Sequence, residues 1–548
     1  MARRRRGTGT GAGQLVQWSA AAAVGLATLG GSAWAEHAAR SNAASAITAD
    51  AAKHHVEVLA DDTFEGREAG SRGGRAAGLY IVKQLEADEM PGGGDKGSYY
   101  QTFGTGYSNI LAVLAGSDPA LKDQVIVVSA HYDHVGYGSR RNSFGPIGQI
   151  HNGADDNASG VSLLLEVVDA FHLLGQPPKR TVLFAFWDGE EKGLLGSIHW
   201  VANPTVPLDH VVLNVNADMV GRARSMRFEV SGSRTMPGLR RLFSTENDAT
   251  GLGIDFPWDI KTNSDHYTFY KKQIPALLVH TGLHNDYHRP SDDVEKINSD
   301  GIRQIAQTVF HVVDELANAP TLPGFRSRSQ SETLATQADA EKALSLPPSR
   351  LGVRWNPNAA PGTGVTVVSI EPGSAAAKAG LAVGDRVVRF AGAPIESPEQ
   401  FRSLVLSARS PVAAQIMRAG KSEPVELTIQ LAGSPTRVGI TWRVDDAEPG
   451  AVILNRVLPG SAADAAGLHV NDRIYRVAGH DFANESEFRE RLKEATGPLE
   501  LEVESHGQVR TVKLDLPSDT PPTAAVTSEA VPAEKAADAA TPASDESE

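Results

Sequence analysis

The sequence predicts an α/β domain over residues 36–320, with a mixed central sheet and helices on both faces, followed by two small β-rich modules. Short apolar runs separated by turn residues predict strands at 124–131, 180–188, 210–218 and 275–282. Residues 158–175, between the first two runs, carry apolar residues at helical spacing. Nearly continuous apolar strands that alternate with helices indicate a sheet covered on both faces.

The second part of the prediction comes from an internal repeat. "EPGSAAAKAGLAVGDRVVRFAG" at 371–392 matches "LPGSAADAAGLHVNDRIYRVAG" at 458–479, and "LGVRW" at 351–355 matches "VGITW" at 438–442. We therefore expect modules at 350–432 and 436–517, with a linker at 321–349. Residues 518–548 are rich in Ala, Pro, Thr, Ser and Glu and predict a disordered acidic tail.

Composition limits the function classes. A chain of 548 residues is suited to several domains, and a formal net charge of −14 argues against nucleic acid as a partner. The chain contains no cysteine, so disulfides are excluded and any metal site must use His, Asp and Glu. Such ligands favour zinc or another divalent ion.

The N-terminus predicts export. Arg3–Arg6 precede an Ala-rich apolar stretch, and "AWA" ends at Ala35, as in a secretory signal peptide over residues 1–35. An uncleaved membrane anchor is the alternative, but the apolar run is short for a membrane span. We expect a periplasmic or secreted protein without a stable membrane span after cleavage.

Acids and histidines concentrate in five segments near predicted strand ends. They are "SAHYDHVG" (129–136), "HNGADDNASG" (151–160), "FWDGEEKGLLGS" (186–197), "NVNADMVG" (214–221) and "HNDYHRPSDD" (284–293). Each alone is an ordinary polar loop, but ligand sites in such sheets lie at the carboxyl ends of strands. Clustered carboxylates raise one another's pKa unless cations neutralise them, so the pattern predicts two divalent metals.

These five segments, in this order, resemble the M28 family of co-catalytic zinc aminopeptidases. The resemblance covers roughly residues 50–318 and includes "LADDTFEGREAGSRGG", "YYQTF" and "SDHYTFYKKQIPAL". It implies a two-zinc site with His131 and Asp218 on one zinc, Glu191 and His288 on the other, and Asp156 bridging both. It also implies a cis peptide bond after Asp156.

The same resemblance assigns the remaining catalytic roles. Glu190 is the general base, Asp133 orients the His131 imidazole, and Tyr287 contacts the substrate, donating to its oxyanion. Asp155 is an alternative to Asp156, which the family pattern favours. His134, His284 and Asp286 are alternative direct ligands, or neighbours of the ligands.

The implied function is removal of N-terminal residues from peptides or proteins by a metal-activated water. Glu190 would accept a proton from that water and pass it to the leaving amine. Glutaminyl cyclases and carboxypeptidases share this scaffold and remain alternatives. A non-catalytic scaffold in which the repeated modules bind partners is the alternative from another class.

The repeated modules resemble PDZ domains of bacterial proteases. Their "LGV" and "VGI" stretches lie where PDZ domains bind a peptide C-terminus, and residues 397–408 and 484–495 would form the helix beside the groove. The predicted peptide-binding residues are Leu351, Gly352, Val353, Val438, Gly439 and Ile440. Spacer modules without a ligand are the alternative.

Overall fold

The computed structural model describes residues 30–247, 250–356, 362–495 and 497–516. Residues 1–29 of the predicted signal peptide and residues 517–548, with the predicted tail, lie outside this part. Within it, no helix is both long and apolar enough to cross a bilayer. The chain forms two compact units: the N-terminal domain and the second repeat module belong to one, and the first repeat module forms the other.

The N-terminal domain is built on an eight-stranded mixed sheet, which confirms the predicted fold class. Its strands are β1 (Tyr100–Phe103), β2 (Tyr107–Leu114), β3 (Val125–His131), β4 (Thr181–Trp187), β5 (Val211–Ala217), β6 (Arg227–Ser231), β7 (Gly253–Asp255) and β8 (Ala276–His280). All four predicted strands are present as β3, β4, β5 and β8. They end within about two residues of the predicted positions.

The strand order places those four strands together. The order is β1-β2-β4-β3-β5-β8-β6-β7, and β4, β3, β5 and β8 run parallel to their neighbours in this set. Strands β2 and β6 flank the set in antiparallel orientation. The carboxyl ends of the four parallel strands therefore meet at one edge of the sheet.

Helices cover both faces of the sheet. They are α1 (Gly30–Ala46), α2 (Ala49–Leu59), α3 (Arg72–Ala87), α4 (Gly160–Leu173), α5 (Leu195–Ala202), α6 (Leu239–Glu246), α7 (His266–Tyr270) and α8 (Ser299–Asn318). The predicted helix at 158–175 is α4, whose Val161, Leu164 and Val168 are fully buried. One core includes α2, α4 and α8, and a smaller one includes Trp187, Trp200 and Phe269.

The segment predicted as a linker packs against the N-terminal domain. It contains a short turn of helix at Ser327–Ser331 and helix α9 (Leu334–Ala340). Glu332 accepts hydrogen bonds from Arg234 at 2.7 Å and from Arg326 at 2.7 Å, and all three side chains are buried. The segment is thus attached to the domain by ion pairs, which a hydropathy pattern does not reveal.

The first repeat module has its own sheet and core. Its elements are β9 (Val353–Trp355), β10 (Val365–Ile370), α10 (Ala375–Lys378), β11 (Arg386–Phe390), β12 (Ala393–Pro394), α11 (Pro398–Ser407), β13 (Val412–Met417) and β14 (Val425–Ile429). Strand β9 is at one end of the sheet order. Trp355 on β9 packs edge-to-face on buried Phe401 of α11, with ring centroids 5.0 Å apart.

The second repeat module has the same plan. Its elements are β15 (Ile440–Arg443), β16 (Val452–Val457), α12 (Ala462–Ala465), β17 (Arg473–Val477), β18 (His480–Asp481), α13 (Glu485–Glu494), β19 (Pro498–Ser505) and β20 (Gln508–Asp515). Strand β15 is at the end of its sheet order, and Trp442 packs on Phe488 as Trp355 packs on Phe401. The internal repeat is thus a structural repeat.

Three arginines of the N-terminal domain hold the second module. Arg240 donates to both oxygens of Glu504 at 3.1 Å, and Glu504 is fully buried. Arg234 donates to Asp445 at 3.0 Å, and Arg241 contacts Asp481 at 2.5 Å. Main-chain bonds add to these pairs, among them Ile254 N–H to the His506 carbonyl at 2.7 Å.

The acids that bind these arginines are specific to the second copy. At a shift of 87 residues, Glu504 corresponds to Met417 and Asp481 to Pro394 in the first copy, and Asp445 corresponds to Asn358. The fold-forming residues of the two copies agree, whereas the docking acids do not. The second module therefore carries a surface that pairs with the N-terminal domain.

Replacing Arg240 with alanine tests the importance of this interface. The substitution leaves Glu504 buried without its bidentate partner, and breaking a buried ion pair costs about 3–5 kcal/mol. We expect the free energy of unfolding, measured by denaturant titration, to fall by about that amount. Lys513→Ala is the matched control, because Lys513 pairs with Glu500 on the surface of the same module and such pairs contribute at most about 1 kcal/mol. Equal losses in the two variants would contradict a stabilising role for the Arg240–Glu504 pair.

Candidate metal centre

The four parallel strands bring the predicted site residues to one edge of the sheet. His131 is the last residue of β3, and Glu190 and Glu191 follow β4 after a short turn. Asp218 comes directly after β5, and His288 lies in the loop after β8. Parallel neighbours end on the same side, so residues up to 157 positions apart in sequence become neighbours in space.

Two groups of potential metal ligands lie side by side at this edge. One consists of His134, Asp156, Glu191 and His288, and the other of His131, Glu190 and Asp218. Within each group, one donor atom from every residue lies within 4.8 Å of the others. Imidazole nitrogens and carboxylate oxygens in this arrangement fit zinc or a similar divalent ion.

Asp156 lies between the two groups. Its Oδ1 is 3.4 Å from His131 Nε2, and its Oδ2 is 3.2 Å from His288 Nε2. His131 Nε2 is also 3.5 Å from Asp218 Oδ1, and His288 Nε2 is 3.0 Å from Glu191 Oε2. One carboxylate thus presents one oxygen to each group, as a bridging ligand must.

The neighbouring acid, Asp155, faces the other way. Its Oδ2 is 3.0 Å from His284 Nε2, and its Oδ1 accepts the Gly221 N–H at 2.6 Å. Of the two acids, Asp156, which the family pattern favours, is thus the one that faces both groups. The peptide bond between Asp156 and Asn157 is cis, which confirms that implication of the family resemblance.

Two of the alternative ligands lie away from the centre. His284 pairs with Asp155, and Asp286 contacts Lys296 at 2.5 Å and Ser291 at 2.7 Å. Neither residue belongs to the two groups of potential ligands. His134, the third alternative, is within them.

Arg67, a buried arginine with no role implied by the sequence, supports the Asp156 loop. The Arg67 guanidinium is fully buried and donates to the carbonyls of Asn152 at 2.6 Å, Gly153 at 2.9 Å and Asp156 at 3.4 Å. Its stretch, "FEGREAG", was part of the family resemblance. A charged residue among turn residues gives no sequence signal for burial, so only the fold identifies its contacts.

Asp292 supports the same loop from the opposite direction. Its Oδ2 accepts the backbone N–H groups of Asp155 and Asp156, each at 3.0 Å. Its Oδ1 accepts a hydrogen bond from Arg222 at 2.8 Å. The Asp156 carboxylate is thus positioned through its own main chain, held by Arg67 on the carbonyl side and by Asp292 on the amide side.

The two adjacent glutamates have opposite electrostatic environments. Burial by itself disfavours the charge of Glu191, but hydrogen bonds with His134 and His288 lower the pKa of Glu191 below its usual range. Burial raises the pKa of Glu190 well above its usual value, and the charge of Glu191 adds to this increase although His131 opposes it. These surroundings favour the anionic form of Glu191 and the protonated form of Glu190.

The histidines respond to the same carboxylates. Burial disfavours the charge of His288, but hydrogen bonds to Asp156 and Glu191 raise its pKa to about 10. Burial likewise opposes the charge of His131, and the charges of Glu190 and Asp218 raise its pKa well above the usual value. The carboxylates of the site thus stabilise positive charge on both histidines, as is typical of a cation-binding site.

Asp133 touches both His131 and the Glu190 main chain. Its Oδ1 accepts the Glu190 N–H at 3.0 Å and lies 3.7 Å from His131 Nδ1. The main-chain oxygen of Asp133 lies 3.2 Å from the same nitrogen. Asp133 is placed to fix the turn that carries Glu190, in addition to its predicted role toward His131.

Tyr287 lies at the opening of the centre. Its ring stacks on His288 with centroids 3.9 Å apart, and it lines a cleft together with Met219, Leu278 and Leu283. Burial raises the pKa of Tyr287 well above its usual value, and the nearby carboxylates Asp156 and Glu191 add to the effect. The phenol thus favours its protonated form, and its contact with substrate stays a prediction.

The predicted peptide-binding loops of the two modules share one geometry. Gly352 and Gly439 have φ of +75° and +87°, and an added Cβ would lie 2.2 Å from Ser374 and 2.1 Å from Ser461, respectively. The carbonyls of Leu351 and Val438 accept main-chain bonds that anchor the loops. Val353 and Ile440 then begin the end strands β9 and β15.

Known protein families match both the N-terminal domain and the two repeat modules. The model of peptidase family M28 matches residues 109–313, and PDZ domain models match residues 349–429 and 426–504. Leupeptin-inactivating enzyme 1 of Streptomyces exfoliatus is 26% identical over 343 residues, which are 57% of this chain and 71% of that protein. Aminopeptidase YwaD of Bacillus subtilis is 29% identical over 209 residues, which are 36% and 42% of the two chains. The chain thus spans less than half of the second relative's length.

Solved structures resemble the N-terminal domain more distantly. A zinc aminopeptidase from Bacillus subtilis has 16% identity and a TM-score of 0.40, covering 49% of this chain and 95% of that one. A glutaminyl cyclase from Porphyromonas gingivalis has 22% identity and a TM-score of 0.40, with coverages of 49% and 98%. The family matches, together with the fold and the clustered ligands, identify residues 109–313 as a domain of peptidase family M28, and two PDZ domains follow it.

Proposed function

We propose that the protein is an exported di-zinc aminopeptidase that removes N-terminal residues from peptides. The observation that carries the proposal is the position of Asp156, with one carboxylate oxygen toward His131 and the other toward His288. His131, Asp156 and Asp218 would hold one zinc, and Asp156, Glu191 and His288 the other. The names of the curated relatives, which include aminopeptidases, support the exopeptidase part. Export rests on the N-terminal pattern, and N-terminal sequencing of the mature protein tests it.

When bound by these residues, the metal centre would supply activation of a water and polarisation of the scissile carbonyl. Glu190, whose carboxylate lies beside His131 and Asp218, accepts the water proton and delivers it to the leaving amine. Burial raises the pKa of Glu190 above its usual value, which makes it a stronger base toward the water proton. Tyr287, kept protonated, donates to the developing oxyanion.

A panel of substrates tests the activity and separates it from the alternatives. We expect hydrolysis of aminoacyl-nitroanilides, loss of this activity with a chelator, and recovery on addition of zinc, cobalt or manganese. N-terminally blocked peptides should resist cleavage. Cleavage of blocked peptides from the C-terminus would instead indicate a carboxypeptidase, and cyclisation of N-terminal glutamine a glutaminyl cyclase. No turnover of any substrate by metal-loaded protein would favour a non-catalytic scaffold.

Replacing Glu190 with glutamine tests the general base. Glutamine keeps the shape of the side chain but cannot accept the proton, so kcat should fall by about 10²–10⁴. Zinc content, measured by elemental analysis of the purified protein, should stay at the wild-type level. Glu191→Ala is the matched neighbour and should instead lose zinc, because Glu191 is a proposed ligand. A near-wild-type rate in the Glu190 variant would exclude this role.

We further propose that the PDZ domains bind peptide C-termini. Strands β9 and β15 begin at the glycine loops and are at the ends of their sheets, where a peptide can add as a further strand. Binding of a C-terminal peptide library to the full-length protein should disappear when the peptides are amidated, because amidation removes the carboxylate. Equal binding of free and amidated peptides, or none of either, would favour a spacer role.

A further inference from the structure

We propose that His134 is a protein ligand of the metal held by Asp156, Glu191 and His288, so that this position has four protein ligands. The position beside it, with His131, Asp156 and Asp218, has three. The inference rests on the proposed function in one respect, namely that the centre holds two metals. It adds that the two positions are chemically different, one closed by protein and one open.

The distances around His134 fit a shared metal. Its Nδ1 lies 2.8 Å from Glu191 Oε1 and 3.7 Å from Asp156 Oδ2, and His288 Nε2 lies 3.0 Å and 3.2 Å from the same two carboxylates. Two donors on one tetrahedral zinc, each bound at about 2.0–2.1 Å, lie about 3.3 Å apart. The four measured separations fall on both sides of this value. His134 thus relates to these carboxylates much as His288 does.

The His134 ring is held in this orientation by its surroundings. The side chain is fully buried, and its ring meets that of His288 edge-to-face, with centroids 5.6 Å apart. Its backbone N–H donates to the Arg67 carbonyl at 3.2 Å. Gly153 adopts φ of +57°, and an added Cβ there would lie 2.5 Å from the His134 ring. The ring therefore occupies space that the loop carrying Asp156 leaves open by having a glycine.

The fourth candidate donor at the other position is Glu190, which the proposed function assigns to proton transfer and not to the metal. The group at that position contains His131, Asp218 and the shared Asp156, with Glu190 facing the same space as the proposed base. Zinc sites closed by four protein ligands are typically structural, whereas catalytic sites keep a place for water or substrate. The position beside Glu190 is accordingly the open one. The His134 position would bind its metal more tightly and fill first.

An alternative role for His134 is to donate a hydrogen bond from Nδ1 to Glu191 and so orient that ligand. The two roles predict different behaviour for His134→Asn. The asparagine amide can lie near the position of Nδ1 and can still donate a hydrogen bond, but it is a weak zinc ligand. Loss of an orienting partner typically lowers metal affinity by about 10–100-fold.

The test is a zinc titration of metal-free full-length protein against a competing chelator. The wild type should show one tight and one weaker site. In His134→Asn the tight site should weaken by more than about 100-fold. With one equivalent of cobalt(II), the wild-type spectrum should show the intense visible bands of a four-coordinate ion, and the variant should lose them. His151→Asn is the control, since His151 bonds to Ser143 and to the Gln149 carbonyl rather than to a ligand.

The results test the ligand role of His134 and the proposed function separately. A tight site that weakens by less than about 100-fold in His134→Asn, with an unchanged cobalt spectrum, would overturn the ligand role in favour of the orienting one. Two equal sites in the wild type would also overturn it. If the wild type bound no zinc at all, the proposed function itself would fail. Circular dichroism of each variant separates these outcomes from loss of folding.

Discussion

The repulsion between Asp156 and the carboxylates around it is the interaction on which the rest of the site depends. Asp156, Glu190, Glu191 and Asp218 converge at one sheet edge, where like charges in partly buried surroundings oppose one another. His131 and His288 compensate part of this charge in the structure, which is why the pKa of each histidine is raised. Cations at the same positions would compensate it more fully, since a metal ion is usually the largest local charge in such a site.

The surrounding fold holds Asp156 in place without using up its carboxylate oxygens. Arg67 bonds to main-chain carbonyls and Asp292 to main-chain amides, so both Asp156 oxygens stay available to the two ligand groups. A buried charge is tolerated only where it is paired or hydrogen-bonded, and Arg67 meets this requirement with five carbonyl contacts. The position of the Asp156 carboxylate is therefore set by Arg67 and Asp292, which belong to neither group of potential ligands.

Charge pairing also distinguishes the two PDZ domains. The second one has acids that pair with Arg234, Arg240 and Arg241, and it belongs to the same compact unit as the peptidase domain. The first belongs to a separate unit and lacks those acids. The Arg234 network includes Glu332, whose pKa falls to about 2 because its bonds with Arg234 and Arg326 outweigh burial. Its stabilising contribution is therefore present above about pH 4.5 and is lost as the pH falls toward about 2.

The sequence by itself determined the fold class, the repeat and the stretches that carry the site, because hydrophobic periodicity and strand-end acids are local signals. The orientation of Asp156 toward both ligand groups, the burial of Arg67 and the proximity of His134 to Glu191 depended on the tertiary structure. So did the docking of the second PDZ domain through Arg240 and Glu504. These features follow from which distant segments meet and which way a side chain points, and no local pattern of residues encodes either.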